Sequence, residues 1–106
     1  MSGMDERRNS FENKFAHDED LRFRATARRN KLLGLWAAEK LGKTGDDAQA
    51  YAGEVVRADF EEPGDEDVIR KVLSDFNAGS VNVSDAELRA QLLTLLEEAV
   101  KQVSAE

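Results

Sequence analysis

The alternation of hydrophobic and polar positions predicts four amphipathic helices. Along four stretches of the chain, apolar residues recur at steps of three, four and seven, which places them on one face of a helix in each case. The predicted helices span about residues 18–41, 45–62, 65–78 and 84–104. The strict two-residue alternation of a half-buried strand does not occur over any comparable length.

Each predicted helix carries an apolar stripe. In chain order the stripes comprise Leu21, Ala25, Leu32, Leu33, Trp36 and Ala37; Ala48, Tyr51, Ala52, Val55, Val56 and Phe60; Val68, Ile69, Val72, Leu73 and Phe76; and Leu88, Leu92, Leu95, Leu96, Ala99 and Val103. No amphipathic helix can bury its own stripe, so the pattern predicts an all-α fold, a compact four-helix bundle. Phe23 lies off the first stripe. Either a neighbouring helix covers it or it marks a contact surface.

Residue types at the ends of these stretches predict where the helices begin and end. Gly42 is placed to stop the first helix in a left-handed conformation. Thr44 is expected to cap the second helix, with Asp47 three residues later as its partner. Ser84 and Glu87 have the spacing of a capping box at the start of the last helix.

Residues 1–17 form a separate segment ahead of a four-helix domain at 18–106. Met4, Phe11 and Phe15 are spaced seven and four apart, so a helix would align them. The intervening residues are mostly polar, and three apolar residues are too few to order such a segment alone. The segment is therefore expected to be a mobile or partly helical arm that folds against a partner. The alternative is a frayed first turn that docks loosely on the domain.

Composition and charge limit the kinds of partner. The 106-residue chain is 41% hydrophobic and 35% charged, has no cysteine and carries a net charge of −7. Residues 1–31 hold eight bases and six acids (+2), whereas residues 32–106 hold seven bases and sixteen acids (−9). An acidic body repels nucleic acid and anionic lipid. The slightly basic front either meets an acidic partner or is a salt-bridged exposed segment.

Location is inferred from what the sequence does not contain. No apolar run approaches the roughly 20 residues of a membrane span. The first residues also lack the apolar core of a secretion signal. We therefore expect a cytoplasmic protein with no direct membrane insertion.

Two features of the sequence resemble parts of phosphate-binding or catalytic sites. Gly42-Lys43-Thr44 matches the last three positions of a P-loop, but Ala37 stands where the first glycine should be. A helix stop followed by a cap explains these residues better. Weak phosphate binding at this helix start stays open, although Asp46 and Asp47 oppose it. The single histidine, His17, has no nucleophile fixed beside it.

Two further clusters have simple structural explanations. The acids at 65–67 lack the glycine and trailing glutamate of a calcium loop, so no metal site is expected. The arginine cluster comprises Arg22, Arg24, Arg28 and Arg29. It is accompanied by only one aromatic residue and an acidic body, so RNA binding is not expected. A solvated, salt-bridged face is the better reading, and no catalytic residue is predicted.

Several unusual strings resemble one known family. They are Phe11-Glu12-Asn13-Lys14-Phe15-Ala16-His17-Asp18-Glu19-Asp20; Ala27-Arg28-Arg29-Asn30-Lys31-Leu32-Leu33-Gly34-Leu35-Trp36-Ala37-Ala38; Ala50-Tyr51-Ala52; and Ala58-Asp59-Phe60-Glu61-Glu62-Pro63-Gly64-Asp65-Glu66-Asp67-Val68. Together they resemble the zeta subunit of alphaproteobacterial F-type ATP synthase, over about residues 5–103.

The resemblance implies a fold and a function. It implies a four-helix bundle with an N-terminal arm that enters a catalytic interface between the alpha and beta subunits of the catalytic head, beside gamma. Hydrolytic rotation is thereby blocked and synthesis is spared. The inhibitor would lie in the cytoplasm, peripheral to the inner membrane through the ATP synthase. On this sequence the arm residues expected to bind the partner are Met4, Arg7, Arg8, Phe11, Lys14 and Phe15.

The arm residues divide by chemistry. The apolar three would lose their water at the partner, and the basic three would pair with its carboxylates. No cofactor is required by this reading, although the resemblance also implies weak ADP or ATP binding at an unplaced site. The alternative function is accordingly a nucleotide-binding helical regulator with weak or no inhibition. Enzymatic activity is the least expected of the three functions.

Overall fold

The computed structural model describes residues 19–59 and 64–106, which fold into four α-helices. The helices are α1 (Glu19–Lys40), α2 (Gly45–Ala58), α3 (Glu66–Ala78) and α4 (Asp85–Ala105). Neither of the two described ranges contains a strand, and the predicted all-α fold is confirmed. The predicted bounds of the first, third and fourth helices differ from the observed ones by at most one residue.

The second helix is shorter than the predicted 45–62, because it ends at Ala58. Asp59 is its C-cap, and the side chain of Asp59 lies beside Arg29 and Asn30 of α1. The carboxylate of Asp59 lies in this polar cluster and does not continue the apolar stripe. Phe60, the last residue of the predicted stripe, lies outside the described residues. The apolar periodicity therefore overestimated the length of this helix.

The first helix is the central element of the bundle. It packs most extensively against α2 and α4 and also contacts α3, which in turn contacts α2 and α4. Its buried face consists mainly of small or polar residues: Ala25, Arg29, Asn30, Leu33, Gly34, Ala37 and Ala38. The predicted stripe was therefore displaced, since Leu21, Leu32 and Trp36 are only half-buried. A helix with neighbours on several sides buries a wide face, and small residues permit the closest approach.

The core joins residues of all four helices. Its members are Leu33, Ala37, Ala38, Tyr51, Val55, Val68, Ile69, Val72, Phe76, Leu88 and Leu92. Trp36 packs its ring edge-on against Phe76, with 5.8 Å between the ring centroids. Farther along α4, Ala99 and Val103 are buried as predicted, whereas Leu95 and Leu96 are half-buried.

All three predicted helix ends lie at the predicted residues, and two of them have the predicted local geometry. Gly42 is left-handed (φ +80°), and the Lys43 amide donates to the Ala38 carbonyl at 2.8 Å. The Ser84 hydroxyl accepts a hydrogen bond from the Glu87 amide at 3.1 Å. Thr44 is the N-cap of α2 as predicted, but its side chain makes no cap hydrogen bond. Gly45 follows it with a φ of +55°, so the first turn departs from the geometry that brings a cap hydroxyl to the third amide.

The closest helix contact joins α1 and α2 at Gly34. A β-carbon at this position would lie 2.5 Å from the Ala52 α-carbon, a backbone atom that cannot move aside independently. The two helices therefore touch backbone to backbone, and Gly34 sets their separation.

Arg29 ties α1 to the connection between α2 and α3. Only 5% of this arginine is exposed. Its Nη2 donates to Asp65 Oδ1 at 2.8 Å and to Asn30 Oδ1 at 2.7 Å, and it lies 4.0 Å from Asp59 Oδ1. The prediction that Arg29 belongs to a solvated face is wrong, because four-residue steps from Ala25 and Leu33 place it on the buried face. Burial raises the pKa of Asp59, although Arg29 and Asn30 act to lower it.

We predict that Gly34→Ala lowers the free energy of unfolding by at least about 1–3 kcal/mol, the usual cost of overpacking, because α1 and α2 must separate. Gly53→Ala is the matched control: its β-carbon meets Arg57 Nη1 at an ordinary 3.5 Å. The control should stabilise the chain by about 0.5–1 kcal/mol through lower backbone entropy in the unfolded state. Urea unfolding measures both, and equal effects of the two variants would contradict the close approach.

We predict that Arg29→Met lowers the free energy of unfolding by about 2–4 kcal/mol, because Asn30 and the half-exposed Asp65 lose their charged donor. Arg22→Met is the control; Arg22 is exposed on the same helix, and its loss should change stability by no more than about 0.5 kcal/mol. Thermal unfolding followed by circular dichroism compares them. A loss at Arg22 as large as that at Arg29 would show that the buried network adds nothing.

Candidate partner-binding site

The six arm residues predicted to bind a partner lie outside the described residues, as do His17 and the predicted boundary at residue 17. These residues are Met4, Arg7, Arg8, Phe11, Lys14 and Phe15. Their predicted role is therefore a proposal below. The described chain begins at Glu19, so the bundle surface nearest to the predicted arm is the one formed around the first turns of α1.

A groove of about 350 Å³ lies beside these first turns. Side chains from three helices form its apolar part: Ala27 of α1, Val56 of α2 and Val103 of α4. Polar contacts between α1 and α4 run along it, with Arg28 Nη1 donating to Gln102 Oε1 at 2.9 Å. The groove therefore marks the place where the beginning of α1 meets the ends of α2 and α4.

The rim of this groove is positively charged. Arg24, Arg28 and Lys31 face a single acid, Glu106. Arg24 Nη2 donates to Glu106 Oε2 at 2.8 Å, and Arg28 donates to the other carboxylate oxygen. These hydrogen bonds lower the pKa of Glu106. The salt-bridged face predicted for Arg24 and Arg28 is thus observed. We call the set of Arg24, Arg28, Lys31 and Glu106 the basic rim.

Phe23 lies at the mouth of the same groove with 59% of its surface exposed. One side of the ring lies beside Val56 of α2 and Val103 of α4, and the rest of it is exposed. An aromatic ring beside an apolar groove and a charged rim has the composition of a protein contact surface.

A second groove, of about 330 Å³, lies between α3 and α4. Leu93, which lines this groove, is 62% exposed. The guanidinium of Arg89 donates two hydrogen bonds, of 3.0 and 3.1 Å, to the carboxylate of Glu66. The sequence analysis missed Leu93. The sequence signal is its spacing, because Leu93 falls outside the four-residue steps that join Leu88, Leu92 and Leu96.

Lys43 of the P-loop-like string lies beside a cluster that stabilises the fold. Lys43 and Lys71 place their ammonium groups 6.0 and 5.2 Å from the centroid of the Tyr51 ring. The Tyr51 hydroxyl donates to Asp75 at 2.7 Å, and burial raises the pKa of the phenol. This cluster holds α2 against α3. Gly42-Lys43-Thr44 connects two helices, whereas a P-loop follows a strand.

Neither a metal-binding cluster nor a membrane-spanning helix is found in the two described ranges. Residues 19–59 and 64–106 contain no group of three or more acidic or histidine side chains arranged to hold a metal ion. None of the four helices has the length and apolarity needed to cross a membrane.

Comparison with known proteins gives the family. The family model described as ATPase inhibitor subunit zeta matches residues 1–102. A structure determined in solution by NMR is 54% identical in sequence and superposes with a TM-score of 0.72. The matched region covers 80% of this chain and 96% of that one. The comparison with curated proteins gives no match. Since the family model spans nearly the whole sequence and the four-helix fold agrees with the resemblance, the chain belongs to the ATPase inhibitor subunit zeta family.

Proposed function

We propose that this protein inhibits ATP hydrolysis by an F-type ATP synthase by inserting its N-terminal segment, residues 4–15, at an alpha/beta interface of the catalytic head. The observation that carries the proposal is the family match, which includes the arm as well as the bundle. The family name supports a regulatory role at the ATP synthase. The site of insertion and the arm residues are our own proposal.

The arm has two sets of residues suited to such an interface. Met4, Phe11 and Phe15 would supply one apolar edge if the segment becomes helical. Apolar anchors of this kind contribute most of the binding free energy when they are fully desolvated. Arg7, Arg8 and Lys14 would pair with partner carboxylates and set the register of the arm.

The bundle supplies the anchor behind the arm. The arm leads into α1, which is held by contacts with all three other helices and by the buried Arg29 network. A force on the arm would therefore be transmitted to a packed domain. The domain would stay outside the interface as a plug and would block rotation in the hydrolytic direction while synthesis proceeds. The protein would act from the cytoplasm, peripheral to the membrane and without nucleic acid.

The main prediction concerns the arm. Full-length protein should inhibit ATP hydrolysis by the purified cognate catalytic head, and a chain starting at residue 18 should not. Met4→Ala/Phe11→Ala/Phe15→Ala should weaken inhibition at least about tenfold, which corresponds to about 1.4 kcal/mol of binding free energy. Leu93→Ala is the control, because Leu93 lies beside the other groove, and its inhibition should match wild type.

Circular dichroism of each variant should show the same helical bundle, so that lost inhibition reports on the arm. Equal inhibition by the full-length and truncated chains would overturn the arm model. No inhibition by the full-length chain would do the same.

Nucleotide binding with weak or no inhibition is the alternative function. Lys43 and Thr44 at the start of α2 are the residues to test, although Asp46 and Asp47 add opposing charge. Titration with ATP followed by backbone NMR decides this point. Localised shifts at residues 43–47 would support the alternative, and no shifts at millimolar ATP would end it.

A further inference from the structure

The basic rim stands out against the charge of the molecule around it. Three cations and one anion surround the first groove, whereas residues 32–106 as a whole carry sixteen acids and seven bases. Glu106 pairs with both Arg24 and Arg28, and the residues that line the groove still include more bases than acids. A cluster of side chains with the same charge attracts a protein surface of opposite charge and increases the rate of association.

The two arginines are held in position for a carboxylate. Glu106 accepts a hydrogen bond from Arg24 with one oxygen and from Arg28 with the other. Gln102 accepts from Arg28 Nη1, and the Gln102 amide in turn donates to Glu98 at 3.1 Å. When Glu106 is displaced, Arg28 is still held by Gln102, so this guanidinium stays in position and less entropy is lost on binding.

Glu106 is also easily replaced. Its side chain is 43% exposed, as is that of Arg24, and Arg28 is 32% exposed. Ion pairs this open to water contribute little to folding, so exchange of one carboxylate for another costs little. Beneath them, the half-buried Ala27 and Val56 offer an apolar surface that a carboxylate alone would leave uncovered, and the buried Val103 forms the floor behind them.

We propose that the basic rim and its groove form a second contact with the protein partner, in addition to the arm. An acidic side chain of the partner takes the place of Glu106 between Arg24 and Arg28, and an apolar side chain beside it enters the groove. Glu106 is then an intramolecular competitor for the site. The identity of the partner as the catalytic head rests on the proposed function, whereas the acidic and apolar chemistry rests on the contacts described above.

A protein segment fits this surface better than a polyanion does. The apolar part of the groove has nothing to bind in a phosphate backbone. The acidic remainder of the bundle would also repel a nucleic acid or an anionic lipid surface that extends beyond the rim.

The test uses two opposite changes at one site. Arg24→Gln/Arg28→Gln removes the cations, and Glu106→Gln removes the competitor. Binding of each full-length variant to the cognate catalytic head is measured by surface plasmon resonance at about 50 mM and about 500 mM salt. The arginine variant should associate about 5–10-fold more slowly at the lower salt, and Glu106→Gln should associate about 2–5-fold faster. Both differences should largely disappear at the higher salt.

The matched control removes two cations elsewhere. Lys40→Gln/Arg89→Gln makes the same change in net charge, and the acids paired with Arg89 are exposed, so its loss costs little stability. Lys40 lies 16 residues beyond Arg24, about 24 Å along α1, and Arg89 lies 14 residues before Val103, about 21 Å along α4. The association rate of this control should change less than twofold. If the pairs of Glu106 with the arginines only stabilised the fold, both rim variants would bind more weakly. A slower association of the arginine variant together with a faster association of Glu106→Gln therefore distinguishes the proposal from a structural role.

Each remaining outcome decides the proposal. If the wild-type chain binds and inhibits the head but the rim variants behave as wild type, the second contact is wrong and the arm proposal stands. If the wild-type chain does not bind the head, the proposed function and this inference fall together. Rim-dependent binding to vesicles of phosphatidylglycerol would also overturn it, because the site would then serve a lipid surface.

Discussion

At Gly34 the backbone of α1 comes so close to Ala52 of α2 that no side chain fits between them. This contact sets the separation of the two helices that pack most extensively in the bundle. With α1 held there, Arg29 can reach Asp65 while Val56 of α2 comes beside Ala27 of α1. The buried network and the groove thus depend on the same close approach.

Much of the fold followed from apolar periodicity and from residues suited to ending helices. Gly42 and Ser84 behaved as their types predict, and long stripes gave three helices within one residue of their bounds. The misses have a common cause. The four-residue spacing from Ala25 and Leu33 places Arg29 on the buried face, but it does not reveal the acids at 59 and 65 that compensate its buried charge. The end of α2 at Asp59 likewise depends on contacts with α1 that are distant in sequence.

The site was less predictable than the fold. The sequence located a basic front end, but not the fact that Glu106 and Val103, some eighty residues later, complete a groove there. It also left Phe23 undecided between burial and contact. Which residues surround the groove, and how much of Phe23 is exposed, depend on the packing of the first helix against the last. Helical periodicity alone does not specify which helices meet.

The molecule divides its charge in a way that suits a two-part inhibitor. The body is strongly acidic, whereas in the first 31 residues, where the arm leads into α1, eight bases outnumber six acids. Long-range repulsion from the body would keep the bundle from binding indiscriminately to anionic surfaces, while the front end approaches acidic protein. Affinity would then come from the apolar residues of the arm.

The most direct test of this account is to locate the arm in the complex. A photo-crosslinking amino acid placed at position 11 should, in the presence of hydrolysing catalytic head, form products with the alpha or beta subunit. The same group placed at position 93, beside the second groove, should form few or none. Crosslinks from position 93 with none from position 11 would contradict insertion of the N-terminal segment.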